Sequence, residues 1–287
     1  MSLTVLDRRD AFRKALDAER AAGRRMGVVP TMGSLHAGHI SLMARAAAEC
    51  DVAVTTLFVN PLQFGPTEDL DCYPRDPDGD RAKAEAAGVS YLFAPSPQEM
   101  FPDAPVTTVT VGTLADIFEG ATRPGHFQGV ATIVTKLLSL AGPCRAYFGE
   151  KDYQQLAVIR RITADLSLPA QIVGCPTVRA ADGLALSSRN AYLTPDERAI
   201  APILYRALQA GAATKGASGD QVRATMAAVV KQEPAFQLDY ADVVDAVDLT
   251  PLTTLDRDAR LLIAARLGRT RLIDNLAAEG HYLEGLS

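Results

Sequence analysis

MGVVPTMGSLHAGH, Met26 to His39, passes from an unbroken apolar run into glycine, serine and two histidines three residues apart. Met26 to Thr31 predicts a short buried strand and the residues from Gly38 to Cys50 a helix, so the segment reads as the strand-to-helix turn of a parallel sheet. A helix start presents unpaired N–H groups and the positive end of the helix dipole, and it therefore attracts phosphate. Gly38 permits close approach, while His36 and His39 share one side of the first turn and face the same anion. Imidazoles placed there donate hydrogen bonds where charge develops, general-acid help worth about 10² to 10⁴ in rate. Histidine beside a helix start is also an ordinary cap and Gly33 an ordinary turn residue, so this segment alone favours a nucleotide only slightly. A zinc reading fails for want of further ligands, since His126 and His281 are the histidines that remain.

Outward from this turn the chain alternates β-rich and helical stretches. Further strands are expected at Val52–Val59, Val89–Ala94, Cys144–Gly149 and Ala170–Gly174, and helices at Pro77–Ala87, Gly129–Leu140 and Tyr153–Leu166. Asp76 with Pro77 marks a helix start and Gly88 a stop. Such alternation implies right-handed crossovers and a mostly parallel sheet covered on both faces, with ligands beyond the carboxyl ends of its strands. A domain boundary is expected near Val178, and the composition shifts beyond the segment TPDER. Thr194, Pro195 and Glu197 form a capping box with proline at the first helical position, and Ala-rich helices then give way to strands around LDYADVVDAV and ARLLIAARLG. The expected architecture is α/β: a Rossmann-like domain over residues 1–177 and a smaller α+β domain over 178–287.

The 287 residues carry 48% hydrophobic and 22% charged side chains, which excludes a disordered chain, and no apolar run suffices to cross a bilayer. A charged N-terminus without an apolar core argues against export. Cys50, Cys72, Cys144 and Cys175 lack CxxC spacing and suit reduced thiols in a cytoplasm. A net charge of −5 disfavours a nucleic-acid surface but leaves room for a local anion site.

Other segments carry the right chemistry at the right places. FVNPLQF, Phe58 to Phe64, puts Asn60 and Gln63 at a strand's carboxyl end, where oriented amides hold hydroxyls and a carboxylate, although Asn60 with Pro61 also serves as a plain turn. The long loop that follows to Asp76 has the length of a functional segment. In FGEKDYQQ, Phe148 to Gln155, Asp152 and Gln155 have capping-box spacing, whereas Lys151 opposes a helix dipole unless an anion lies between. At about 4 Å and an effective dielectric near 20, a phosphate charge gains roughly 4 kcal/mol from such a lysine before desolvation. LSSRN, Leu186 to Asn190, supplies hydroxyls and a forked guanidinium in the segment joining the two domains. In RPGHFQGV, Arg123 is a secondary candidate for substrate or pyrophosphate, next to the turn residues Pro124 and Gly125. Glu68, Asp69 and Asp71 read as a solvated acidic surface rather than a metal site.

Taken in order, PTMGSLHAGH, FVNPLQF, RPGHFQGV, FGEKDYQQ and LSSRNAYL, with RLIDN at Arg271 to Asn275, resemble the pantothenate synthetase family. That family belongs to the nucleotidyltransferases that share an HxGH signature with class I aminoacyl-tRNA synthetases. The resemblance implies a Rossmann-like domain with a C-terminal lid, a homodimer, and a two-step ligation with ATP and magnesium. Pantoate attacks the α-phosphate to give pantoyl adenylate and pyrophosphate, and β-alanine then displaces AMP.

The resemblance further implies an ATP-binding stretch over Pro30, Thr31, Met32, Gly33, Ser34, Leu35, His36, Ala37, Gly38 and His39, with His39 as proton donor and His36 beside it on the phosphates. Gly149, Glu150, Lys151 and Asp152, with Leu186, Ser187, Ser188 and Arg189, match the remaining nucleotide segments. Within these, Lys151, Ser187, Ser188 and Arg189 steady the transferring phosphates, and Val178 lies against adenine or ribose. Gln63 serves pantoate and β-alanine, Gln155 and Asn60 serve pantoate, and the magnesium ligands are not implied. Tyr153 stands where phenylalanine is familiar and Leu186 where methionine also occurs. The rival readings are a nucleotidyltransferase that stops at adenylyl transfer and a non-catalytic nucleotide sensor. A tRNA synthetase is disfavoured by the short chain and the lack of a basic surface.

Overall fold

The computed structural model describes residues 3–66, 68, 70–71, 73–214, 216–254 and 258–278. Asp69, Cys72 and His281 lie outside the described residues. The chain divides into two compact units, one of Met1–Glu150 with Gln154–Pro176, the other of Lys151–Tyr153 with Thr177–Ser287.

The first unit is a six-stranded, wholly parallel sheet built from β1 (Thr4–Leu6), β2 (Met26–Thr31), β3 (Val52–Leu57), β4 (Tyr91–Phe93), β5 (Cys144–Gly149) and β6 (Ala170–Cys175) in the order β1-β4-β3-β2-β5-β6. Its helices are α1 (Arg9–Ala21), α2 (Ala37–Glu49), α3 (Pro77–Ala86), α4 (Pro97–Met100), α5 (Glu119–Thr122), α6 (His126–Ala141) and α7 (Tyr153–Asp165). Strand alternation sorts the two faces. Met26, Val28, Val52 and Val54 pack with Phe12 and Leu16 of α1, Leu137 and Leu138 of α6 and Ile159 of α7. Val29 and Ala53 point the other way, with Leu42, Met43 and Ala46 of α2 and Ala84 of α3. Gly27 lets α2 lie close on β2, because a Cβ there would meet the Cys50 sulfur at 3.0 Å.

The strand order reverses direction between β2 and β5, so the sheet offers a crevice at the carboxyl ends of those two strands. Asp76 caps α3 through the Gly79 N–H at 3.1 Å and Gly88 ends that region at φ +83°. Some expectations need correction. The edge strand β1 is absent from the sequence reading, β4 covers only the middle of the expected Val89–Ala94 run, and α6 starts at His126 rather than Gly129. Three residues of edge strand are too short for a period-two signal. Gly125, left-handed at φ +82°, brings the chain into α6 a turn early.

The second unit is a three-stranded antiparallel sheet of β7 (Phe236–Asp245), β8 (Ala259–Leu267) and β9 (Thr270–Ala277) with helices α8 (Pro195–Ile200), α9 (Ile203–Ala212) and α10 (Gly219–Val230). Its core joins Leu204, Ala207 and Leu208 of α9 and Val222 and Met226 of α10 to Val243, Leu261 and Ile263 of the sheet. The expected box at Thr194 and Glu197 closes in both directions at the start of α8.

Candidate active site

The turn after β2 is held at three levels. Thr31 Oγ1 donates to the Thr56 carbonyl at 2.6 Å and accepts from the Gly33 N–H at 3.3 Å. Gly33 and Ser34 then turn the chain through φ values of +87° and +53°. The N–H groups of Ser34 and Leu35 donate to the two carboxylate oxygens of Asp80 at 2.8 and 2.7 Å. At its end His36 takes an extended conformation as N-cap of α2, and its Nδ1 accepts from the Gly38 N–H at 3.1 Å. His39 Nδ1 accepts in return from the His36 N–H at 3.4 Å.

The two rings lie side by side, with centroids 4.2 Å apart. Both histidines therefore are caps, as their residue types permit. The same bonds fix their chemistry: a ring nitrogen that accepts carries no proton, so each neutral imidazole holds its proton on Nε2 and is a donor there. A Cβ at Gly38 would stand 2.8 Å from His36 Cε1, so a side chain there would displace the capping ring.

Beyond β3, Asn60 is 1% exposed and caps the 3₁₀ turn Pro61–Gln63 through the Leu62 N–H at 3.3 Å. Its Nδ2 donates to Gln63 Oε1 and to the Gly129 carbonyl, each at 3.1 Å. The Asn60 amide is thus engaged within the fold, where it holds the side-chain oxygen of Gln63. The Gln63 backbone is fixed as firmly. His126 Nδ1 donates to its carbonyl at 2.9 Å, and a Cβ on Gly129 would come within 2.2 Å of the Leu62 carbonyl oxygen, so α6 backs directly onto the turn.

Arg123 is not displayed as an isolated cation. It grips Glu68 through Nε at 2.8 Å and Nη2 at 2.6 Å, and its Nη1 meets His126 Nε2 at 3.0 Å. Glu68 is consequently an ion-paired, mostly covered residue instead of the solvated acid expected from composition, and the Arg123 guanidinium holds its carboxyl below the ordinary range. Of the adjacent glutamines in α7, Gln154 is buried and ties the Glu119 N–H and the Leu114 and Ile117 carbonyls at 3.0, 2.9 and 2.8 Å. Gln155, the sequence candidate, is half-buried beside it. Gly149 ends β5 and Glu150 opens the 3₁₀ turn that follows.

The second unit holds the other candidates. Lys151 Nζ lies 3.1 Å from Asp152 Oδ1, and its carbonyl accepts from Asn275 Nδ2 at 2.9 Å. Asn275 is itself held by Arg260 Nε at 2.7 Å. The Tyr153 hydroxyl donates to the Ala246 carbonyl at 2.8 Å, a bond phenylalanine lacks, and its ring carries the Arg260 guanidinium at 4.1 Å. LSSRN is a folded part of this unit rather than a connecting segment. The Leu186 N–H donates to the Val178 carbonyl at 2.9 Å, Ser187 caps the turn Ser188–Tyr192 through the Arg189 N–H at 3.3 Å, and Asn190 Nδ2 donates to Ala185 at 3.0 Å. Ser188 and Arg189 are half-buried.

Asp80, His126, Gln154 and Asn275 hold backbone groups around these candidates and are not among the site residues expected from the sequence. The one sequence signal at Asp80 is its place four residues before Ala84, on the side of α3 that the structure buries.

The pantoate-β-alanine ligase family model matches residues 4–277. The chain belongs to the pantoate–β-alanine ligase family. The pantothenate synthetase of Pseudomonas fluorescens strain SBW25 is 53% identical over 269 residues, 92% of this chain and 95% of the relative. That of Roseiflexus sp. strain RS-1 is 54% identical over 256 residues, 88% and 92% of the two chains. Among solved structures, pantothenate synthetase from Thermus thermophilus superposes with a TM-score of 0.91 at 48% identity, covering 96% of this chain and 99% of its own. The Francisella tularensis pantoate-β-alanine ligase, solved with a β,γ-ATP ligand and β-alanine, gives 0.80 at 33% identity over 97% and 99%. The family, the parallel-sheet fold and the ligase class inferred from the motifs stand.

Proposed function

We infer that this chain condenses pantoate with β-alanine, driven by ATP, to give pantothenate, AMP and pyrophosphate. The observation that carries the reading is the histidine pair at the start of α2, two Nε2 donors side by side at the carboxyl end of β2, in a chain of this family. A pantoate carboxylate oxygen bonds to the α-phosphorus as the bond to the β-phosphate bridge breaks, and pyrophosphate leaves. The β-alanine amine then bonds to the acyl carbon, loses a proton, and AMP departs. A carboxylate is a poor acyl donor and adenylation supplies the leaving group, so the protein contributes positioning and charge stabilisation rather than a nucleophile.

His39 donates to the developing phosphate charge and His36 assists it. Pro30 to His39, Gly149 to Asp152, Val178 and Leu186 to Arg189 are assigned to the nucleotide, with Lys151, Ser187, Ser188 and Arg189 on its phosphates. Gln63 and Gln155 take the acids. Asn60 and Arg123 serve the same acids through Gln63, which supports a positioning role for Arg123 in place of a direct contact with pyrophosphate. The division into a catalytic part through residue 177 and a lid from 178 rests on the family resemblance, as does a homodimer.

Magnesium is proposed as the companion of the nucleotide. This ion keeps several waters and takes one or two carboxylates with substrate phosphates. Among the described residues no three His, Cys, Asp or Glu side chains gather as a cage. When bound it offsets phosphate charge. A cytoplasmic location is proposed on the spacing of the cysteines, which lack CxxC pairs. Among the described residues no helix is long and apolar enough to cross a membrane.

Pyrophosphate release by the purified chain tests the assignment. Release that depends on pantoate, with AMP and pantothenate appearing when β-alanine is added, is expected. Release with pantoate but no amide product would instead leave a nucleotidyltransferase that stops at the adenylate.

A further inference from the structure

We propose that Asp80 is a positioning residue that sets the nucleotide turn between β2 and α2, an inference that rests on the function proposed above. Asp80 lies in the first turns of α3, yet that helix is already capped by Asp76, whose Oδ1 takes the Gly79 N–H. The Asp80 carboxylate is directed elsewhere. It is 2% exposed and gives one oxygen to the Ser34 N–H and the other to the Leu35 N–H. A fork of this kind between one carboxylate and consecutive amides fixes the orientation of both peptide units, and charge-assisted bonds of this type are roughly twice as strong as neutral ones.

The held conformation is one the chain would otherwise leave. Ser34 sits at φ +53°, a left-handed value that a residue with a Cβ seldom adopts, and a Cβ on Gly33 would come within 2.9 Å of Asp80 Oδ2. The two ends of the turn have their own anchors, Thr31 on the Thr56 carbonyl and His36 on the Gly38 amide. Asp80 is the anchor of the middle. Without it the ends stay in place while Ser34 relaxes, and the peptide units of Ser34 and Leu35 lose their set relative to a nucleotide. A buried carboxylate is costly unless its oxygens are hydrogen-bonded, and here the two backbone donors meet that need.

The test is Asp80→Asn in the full chain. The isosteric amide keeps one acceptor and sets its NH₂ against the other backbone N–H. Pantoate-dependent pyrophosphate release is expected to lose about tenfold to a hundredfold in kcat/KM for ATP, while conversion of supplied pantoyl adenylate by β-alanine changes by at most about threefold. Unchanged kcat/KM for ATP overturns the proposal, and so does an equal loss in both half-reactions by Asp80→Asn protein that is fully folded.

Hydrogen exchange on the wild-type chain decides the matter if Asp80→Asn does not fold. The Ser34 and Leu35 amides should exchange at least about tenfold slower than unprotected amides of the same sequence, and exchange at the unprotected rate overturns the proposal. Wild-type protein that releases no pyrophosphate with pantoate removes the function and leaves the exchange measurement to judge the turn.

Discussion

Asn275, near the end of the described chain, donates through Nδ2 to the backbone carbonyl of Lys151 at 2.9 Å, across 124 positions of sequence. The RLIDN motif thereby holds the peptide that carries the candidate phosphate lysine. Asn275→Asp keeps the oxygen that Arg260 binds and replaces the donor by a second acceptor facing the carbonyl. It is expected to lower turnover about tenfold through misplacement of Lys151, with Tm less affected than in Asn275→Ala. Paired calorimetry and steady-state kinetics check this, and a turnover equal to wild type would detach Asn275 from the site.

For His39→Ala the expected outcome is a fall in kcat of about 10² to 10⁴ with a smaller change in ATP affinity. Gly38→Ala leaves both histidines in the sequence but drives a methyl onto the His36 ring. It should cost about 1 kcal/mol of stability through the lost cap and depress turnover as well. Calorimetry with pyrophosphate release separates the two effects, and undiminished turnover in either variant would remove the capped-histidine geometry from the chemistry.

Gln63→Ala should raise the KM values for pantoate and β-alanine together and leave that for ATP near its starting value. Asn60→Asp retains the cap on Leu62 but loses the donor to Gln63, so it should show the same pattern in weaker form. A change confined to ATP contradicts the assignment of this amide pair to the acids.

Glu68 gives a pH dependence of definite sign. Its carboxyl is held below the ordinary value of 4.5 by its hydrogen bonds to Arg123 and the attraction of that charge, with burial opposing them. A depressed folded-state value means the ion pair contributes in full above pH about 4.5 and is lost as pH falls through the lower, folded-state value. Limited proteolysis of the segment after Gln63 should therefore accelerate below that window. Glu68→Gln should make cleavage as fast at neutral pH and nearly independent of acid, and a Glu68→Gln profile matching wild type would show that the pair does not hold the loop.

Burial pushes the Cys144 thiol up to about 12 and raises that of Cys175 as well. The thiolate is the reacting species, so peptide-resolved alkylation at pH 8 should leave both residues largely unmodified in the native chain and label them on denaturation. Rapid native labelling of Cys144 would contradict its environment.

Much of this architecture was legible in the sequence for a simple reason. Met26–Thr31 and Val52–Leu57 are inner strands buried on both faces, and such strands read as uncharged β-rich runs with sharp ends. β1 was missed because three residues at a sheet edge carry no pattern. In the site, residues adjacent in sequence were found together, as with His36 and His39. Those that act across the chain were not: Asp80 lies 45 positions from Leu35, His126 lies 63 from Gln63 and Asn275 lies 124 from Lys151. Their partners are backbone groups, which have no identity in a sequence.

The close seating of α6 on the Pro61–Gln63 turn bears on how the proposed acid pocket can be altered. With a backbone oxygen standing 2.2 Å from where a Gly129 methyl would be, and the Gln63 carbonyl held by His126, the main chain at Gln63 behaves as a fixed ruler. Redesign toward longer or shorter carboxylic acids must be done by side chains reaching from that ruler, since shifting the ruler would mean redocking the whole helix.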